Sequence, residues 1–305
     1  MTVDVKKLVS FAGGVPLGDS EVLLIGMFDD QIDVPHTVLL HIEGEKRKAA
    51  NLDWSCRAIA RSASGDEVIL AGLEGETASW KGGELTEIGM LPIRDREDRG
   101  GAILCARTIA DSVFLAGFGR QVYRKTGAGP FRPFDHGTPG RQSGKVEVAA
   151  LEAIDGFSSD EVYAAGKSGE IWRYDGATWR SVSSPTNLRL MGLRCAGDGY
   201  VYICGQAGLL IRGRHDQWEV LHADQDIPYF WDLEHSSAGL LIASTYVLYR
   251  WTGDGLEPFP FPDMASDGRL IPKSFRRLAA HGDAVWSIGE KDVVRITPAG
   301  WNTIL

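Results

Sequence analysis

A short apolar run that ends in a small residue followed by glycine recurs along this chain. It appears at Ile25-Gly26, Ala71-Gly72, Ala116-Gly117, Ala165-Gly166, Cys204-Gly205 and Ile288-Gly289, with Ala243-Ser244 in the sixth place. Successive markers lie 46, 45, 49, 39, 39 and 45 residues apart, a mean of about 44. A period of this size is one supersecondary unit that cannot bury its own faces, so its copies must stack on one another.

Two further markers keep step with the first. An apolar residue followed by arginine falls six or seven positions later, at Tyr123-Arg124, Trp172-Arg173, Ile211-Arg212, Tyr249-Arg250 and Val294-Arg295; Ser79 and His41 take that place in units two and one. Six residues beyond the arginine comes Trp179, Trp218, Leu256 or Trp301. The best-formed unit, DEVYAAGKSGEIWRYDGATWRSV at 160–182, reads as three short strands joined by glycine-containing turns, after an earlier strand at 148–153. No helical period competes. The expected fold is therefore all-β, a seven-bladed β-propeller with four antiparallel strands per blade. One domain is expected over 1–305, with blades near 5–51, 53–89, 102–134, 146–184, 188–222, 228–260 and 273–305. The 37 glycines, near 12% of the chain against a usual ~7%, suit its many tight turns. Each blade takes its strands from contiguous sequence, so ring closure should rest on packing between blades one and seven.

The sequence resembles bacterial propellers of the tryptophan-aspartate-like or neuraminidase-like repeat class, whose blades read VWAVG, a glycine turn, ILRWDG and SW. The resemblance covers essentially the whole chain and is best at 160–182 and 283–301. It implies the fold alone. The Gly-His and Trp-Asp signatures are missing from their strand ends, since Trp231-Asp232 falls on a first strand. The double glycines keep no kelch register, and there is no Ser-x-Asp-x-Gly-x-Thr-Trp box. Sialidase chemistry is therefore not carried over.

Charge and cysteine usage exclude several classes. The chain has 41 acidic and 32 basic residues, a formal charge of −9, and its longest basic run is Lys46-Arg47-Lys48. That is too little to track a phosphate backbone, so no nucleic-acid partner is expected. No stretch of 18 apolar residues predicts a membrane span. The lysines near the start precede an apolar stretch interrupted by Gly13, Gly14 and Pro16, so no signal peptide is expected and the protein reads as cytoplasmic. Cys56, Cys105, Cys195 and Cys204 form no CxxC pair and have no histidine at ligand spacing. They read as reduced, buried thiols, with Cys195 and Cys204 on adjacent strands of blade five where they could approach. Neither a metal nor a cofactor is expected: the seven histidines form no HxH or HxxxH pair, and GxSxG and GxGxxG are absent.

In an up-and-down blade, the turn between second and third strands and the link to the next blade emerge on the same face. Four segments are longer than the minimal connections: 28–36, 90–101, 135–145 and 260–272. All four map to that face, beside the shorter 222–229. Long loops on a rigid scaffold tend to carry function. The candidate partner-binding residues are Phe28, Asp29, Asp30, Asp33, Arg94, Asp95, Arg96, His136, Arg141, Asp224, Asp226, Tyr229, Phe261 and Met264. These five loops hold −5 of the chain's −9. Phe28, Met90, Phe261 and Met264 are expected as exposed anchors, while the opposite, hairpin face is expected to offer little room for specificity. A monomer that captures a basic protein, in the manner of an immunity protein, fits this pattern. The alternative is a hydrolase or lyase acting on a glycan or small metabolite. Its site would sit in the central channel, built from first-strand residues such as Arg57, Arg107, Glu152, Arg194, Asp232 and Arg277.

Overall fold

Most of the marker glycines are places where two backbones nearly touch. In the computed structural model, which describes residues 7–92, 102–138, 149–261 and 272–305, a Cβ added to Gly166 would stand 1.8 Å from the Ala150 carbonyl oxygen. On Gly117 it would stand 2.1 Å from the Ala102 oxygen, and on Gly205 2.2 Å from the Arg189 oxygen. Each of those carbonyls accepts the N–H of the residue after the marker, Lys167, Phe118 or Gln206, at 2.9 to 3.0 Å. Only a residue without a side chain lets the second strand pass that close to the start of the first. The repeat period is therefore the spacing of these crossings.

Seven four-stranded antiparallel sheets follow one another, each built from consecutive strands. The first is Val9–Gly18, Glu21–Phe28, Thr37–Glu43 and Lys46–Leu52; the last is Arg277–His281, Ala284–Ile288, Val293–Thr297 and Gly300–Thr303. The first strands of the five blades between are Cys56–Arg61, Ile103–Ile109, Leu151–Ser158, Leu190–Cys195 and Phe230–Ser236. First strands contact those of neighbouring blades and surround the channel. In blade four the first strand is Leu151–Ser158, not the expected 148–153. The strand runs on through Asp155 and Gly156, with a bulge between Gly156 and Ser158.

The core lies between the blades. Seven apolar clusters each join two neighbours: Leu39 of blade one with Leu70 of blade two, Ile69 with Leu115, Phe114 with Ala164, Tyr163 with Ile203, Cys204 with Ile242, and Leu241 with Val285. The seventh packs Val22, Leu24 and Leu40 of blade one against Trp286, Ile288 and Val293 of blade seven, and so closes the ring. Phe11 N–H adds a bond to the Glu290 carbonyl at 2.9 Å across that seam. Among the described residues no strand is exchanged between the ends. The recurring third-strand arginines serve the blade scaffold. Arg124 Nε donates to Ser112 Oγ at 2.9 Å and lies over the Phe114 ring, Arg212 Nε donates to Glu219 at 3.0 Å, and Arg295 meets Asp19 at 3.0 Å.

Candidate functional site

All six first-strand residues expected at the channel line one cavity of about 120 Å³. Its deeper part is an ion network. Arg194 reaches Glu234 at 3.0 Å and Asp232 at 3.3 Å, while Arg107 reaches Asp155 at 3.3 Å and Glu234 at 3.5 Å. Backbone N–H groups complete the carboxylates: Asp232 accepts from Leu278 at 3.1 Å and from Leu233 at 2.9 Å, and Asp155 accepts from Cys195 at 3.1 Å. Burial alone would push the Glu234 carboxyl up, but Arg194 and Arg107 outweigh it and hold it below its ordinary value. These groups staple neighbouring first strands together.

The end of the channel that opens toward the long loops differs. Arg57 and Glu152 are the extra residues of bulges at the starts of their strands, Arg276 and Arg277 open the first strand of blade seven, and Arg189 precedes Leu190. Glu152 is held by Arg189, which donates to it from Nε at 3.0 Å and also from Nη2. Arg276 lies over the Trp231 ring, 4.7 Å from its centre. Arg276 and Arg189 were not legible as channel-mouth residues, because each sits at the edge of its strand.

On the long-loop face, the inserted segment of blade one is folded back on itself. Phe28 N–H donates to His36 Nε2 at 2.8 Å, so His36 Nδ1 carries the proton and donates to the Val34 carbonyl at 2.7 Å. Asp29 accepts from Ser10 Oγ at 2.6 Å and pairs with Lys291 of blade seven at 2.5 Å, and the lysine holds its carboxyl below the ordinary value. Asp30 and Asp33 are exposed, as are His136 and Asp226; Asp224 and Tyr229 are half-buried. Phe28 is not an exposed anchor: it stacks on His36 and packs against the blade one–seven core. Phe261 is likewise tucked against Phe259, Phe275 and Trp301. Met90 is exposed as expected. Arg94, Asp95, Arg96, Arg141 and Met264 lie outside the described residues.

The apolar anchors are mostly other residues. Of nine exposed large apolar side chains among the described residues, six lie on this face: Leu8, Ile32, Val34, Leu73, Met90 and Tyr246, with Ile32 at 70% and Tyr246 at 77% exposure. The signal for Ile32 and Val34 was the alternation QIDV inside an otherwise polar insertion. The hairpin face is less bare than expected, because blades one and two flank a groove of about 690 Å³ there, lined by Lys46, Lys48, Arg61 and Trp80. Its charges largely answer one another, with Lys81 on Asp66 at 2.6 Å and His41 on Glu21 at 2.8 Å.

The thiols are free. Cys195 stands opposite Val201 and Cys204 opposite Gly192, so the strand register separates the two that sequence placed near each other. Burial pushes the Cys56 and Cys105 thiols up to about 12, and those of Cys195 and Cys204 well above their ordinary value. Among the described residues no three His, Cys, Asp or Glu side chains gather as a metal-ligand set.

The molecule is thus a seven-bladed β-propeller with an arginine–carboxylate network in its channel and a loop-bearing face dotted with apolar side chains. Among solved structures it is similar to the WD40 β-propeller domain of Doa1, with a TM-score of 0.70 and 12% identity over 94% of this chain and 92% of that one. It is also similar to YCF48 bound to D1 peptide, with a TM-score of 0.67 and 14% identity over 95% and 91%. At these identities the likeness is one of fold. No family model matches the chain. The chain belongs to the family of the immune protein Tsi7 of Pseudomonas aeruginosa, to which it is 34% identical over 240 residues, 78% of this chain and 76% of that one.

Proposed function

We propose that this propeller is an immunity protein that binds a protein toxin and neutralises it through the long-loop face. The observation that carries this reading is the relationship to the immune protein Tsi7 over three quarters of both chains. The face is supported by the six exposed apolar side chains gathered there, since an apolar patch with a polar rim is the usual anatomy of an interface. Asp30, Asp33 and Asp226 stand exposed beside them and would steer a basic surface of the partner. Phe28, Asp29, His136, Asp224, Tyr229 and Phe261 shape the same face, and Arg94, Asp95, Arg96, Arg141 and Met264 are proposed as further contacts on the strength of their sequence positions. In this reading the chain acts in the cytoplasm as one monomeric domain, with no cofactor, membrane or nucleic-acid partner.

The hydrolase or lyase alternative draws less support. Asp155, Asp232, Glu234 and Glu152 are engaged by guanidinium groups or backbone N–H groups, and among the described residues no histidine lines the channel cavity. The test is co-expression. A toxin captured with this chain from its native host should arrest growth of a bacterial test strain, and the chain should restore growth. Restoration should be lost with Ile32→Asp combined with Tyr246→Asp. Growth restored equally by that double variant would place the interface elsewhere.

A further inference from the structure

We propose that the channel mouth on the long-loop face is a binding site for a small oxyanion, a phosphate or a carboxylate, held between Arg57 of blade two and Arg277 of blade seven. Both guanidiniums line the cavity, and neither has a hydrogen-bond or ion-pair partner among the described residues. Around them stand Arg276, Arg189 and one carboxylate, Glu152, which Arg189 already engages. Glu290 is the acidic group that acts on Arg276. The deeper network has no such imbalance, since Arg107 and Arg194 face Asp155, Asp232 and Glu234.

Crowding of four guanidiniums around a single carboxylate is costly unless an anion answers the excess. Its mark is on Arg57: burial, then Arg277 and Arg276, with Arg189 adding less against Glu152, press its guanidinium down to about 10. Blade one supplies the space. Where its neighbours present arginines, it contributes Ala12, Gly13 and Gly14 to the cavity wall. A Cβ on Gly13 would meet nothing closer than Arg277 Cγ at 3.8 Å, so the void beside Arg277 is not needed for packing. The cavity, about 120 Å³, holds several waters' worth of space, enough for a tetrahedral oxyanion or a short carboxylate. Paired guanidiniums are the donors suited to such groups.

The site is tested by calorimetric titration of the full chain with inorganic phosphate and, separately, with malonate, at ionic strength held constant with chloride. Saturable binding of either is expected, and the tighter one identifies the source as phosphate or carboxylate. Arg57→Gln with Arg277→Gln should weaken it at least tenfold, while the exposed Arg180→Gln should leave it unchanged. Without anion, that double variant should melt no lower than the parent, because it removes repulsion and no bond. Gly13→Asp, which places a carboxylate beside Arg277, should also abolish binding. Absence of saturable binding for both anions would overturn the assignment. So would parental affinity in the double variant or in Gly13→Asp.

Discussion

The backbone N–H of Phe28 donates to Nε2 of His36, 2.8 Å away, and the imidazole lies stacked on the Phe28 ring at 5.6 Å between centres. One side chain thus closes the inserted loop of blade one and sets its own tautomer. His36→Ala should leave the propeller intact but free residues 30–35, at a local cost of about 1 kcal/mol. Hydrogen exchange should rise at Phe28 and Val34 and nowhere in the blade core.

Charge reversal on this loop separates steering from folding. Asp29 ties blade one to Lys291 of blade seven, so it is left in place. Asp30→Lys with Asp33→Lys should slow association with a basic partner by roughly tenfold at low salt, with little change in dissociation. The effect should shrink toward physiological ionic strength, and the melting temperature should stay the same. Unchanged association at low salt would remove these residues from the steering surface.

Removing a cation from the deep channel should be severe. Arg194→Met leaves Asp232 buried without a guanidinium and Glu234 with Arg107 alone, and loss of one partner of a buried pair costs about 3–5 kcal/mol. Denaturant unfolding would measure it. A loss under 1 kcal/mol would mean that the carboxylates find water or protons easily.

Acid should weaken the seam between blades four and five. Glu161 is held down to about 2, first by its bond with Arg214 of blade five and then by Tyr163, against burial. Its folded value lies below its unfolded one, so its contribution is complete above about pH 4.5 and is lost as pH falls toward 2. Glu161→Gln should flatten that limb of the stability profile and leave the neutral-to-alkaline part parallel to the parent.

The marker glycines should resist the smallest substitution. Gly166→Ala drives a methyl into the Ala150 carbonyl, and relieving such overpacking should cost about 1–3 kcal/mol. Gly197→Ala in blade five, where a Cβ would meet nothing within 4 Å, is the matched control and should be near neutral.

The repeat was legible because backbone crossing at Gly26, Gly117, Gly166, Gly205 and Gly289 leaves no room for a side chain, and that constraint is written as residue type. Channel residues such as Arg57 and Asp232 could be named because a first strand has one place in a propeller. Burial of individual loop side chains was not legible. Phe28 and Phe261 look like anchors in sequence, yet each found an aromatic neighbour, His36 in one case and Phe275 in the other. The reach of the blade-four first strand beyond Ala153 was not legible: the strand continues to Ser158, and Asp155 accepts a bond from Cys195 of blade five.

Six of the seven blade junctions are crossed by the chain itself, whereas that between blades seven and one is held by side-chain packing and a few bonds such as Lys291 to Asp29. The ring is a bracelet with an unwelded clasp, and its easiest breathing motion should be the parting of that clasp. A partner seated on the blade-one loop and its blade-seven neighbour would bridge the gap from outside. Capture of the target and locking of the bracelet would then be a single event, seen as a melting temperature that climbs with partner concentration.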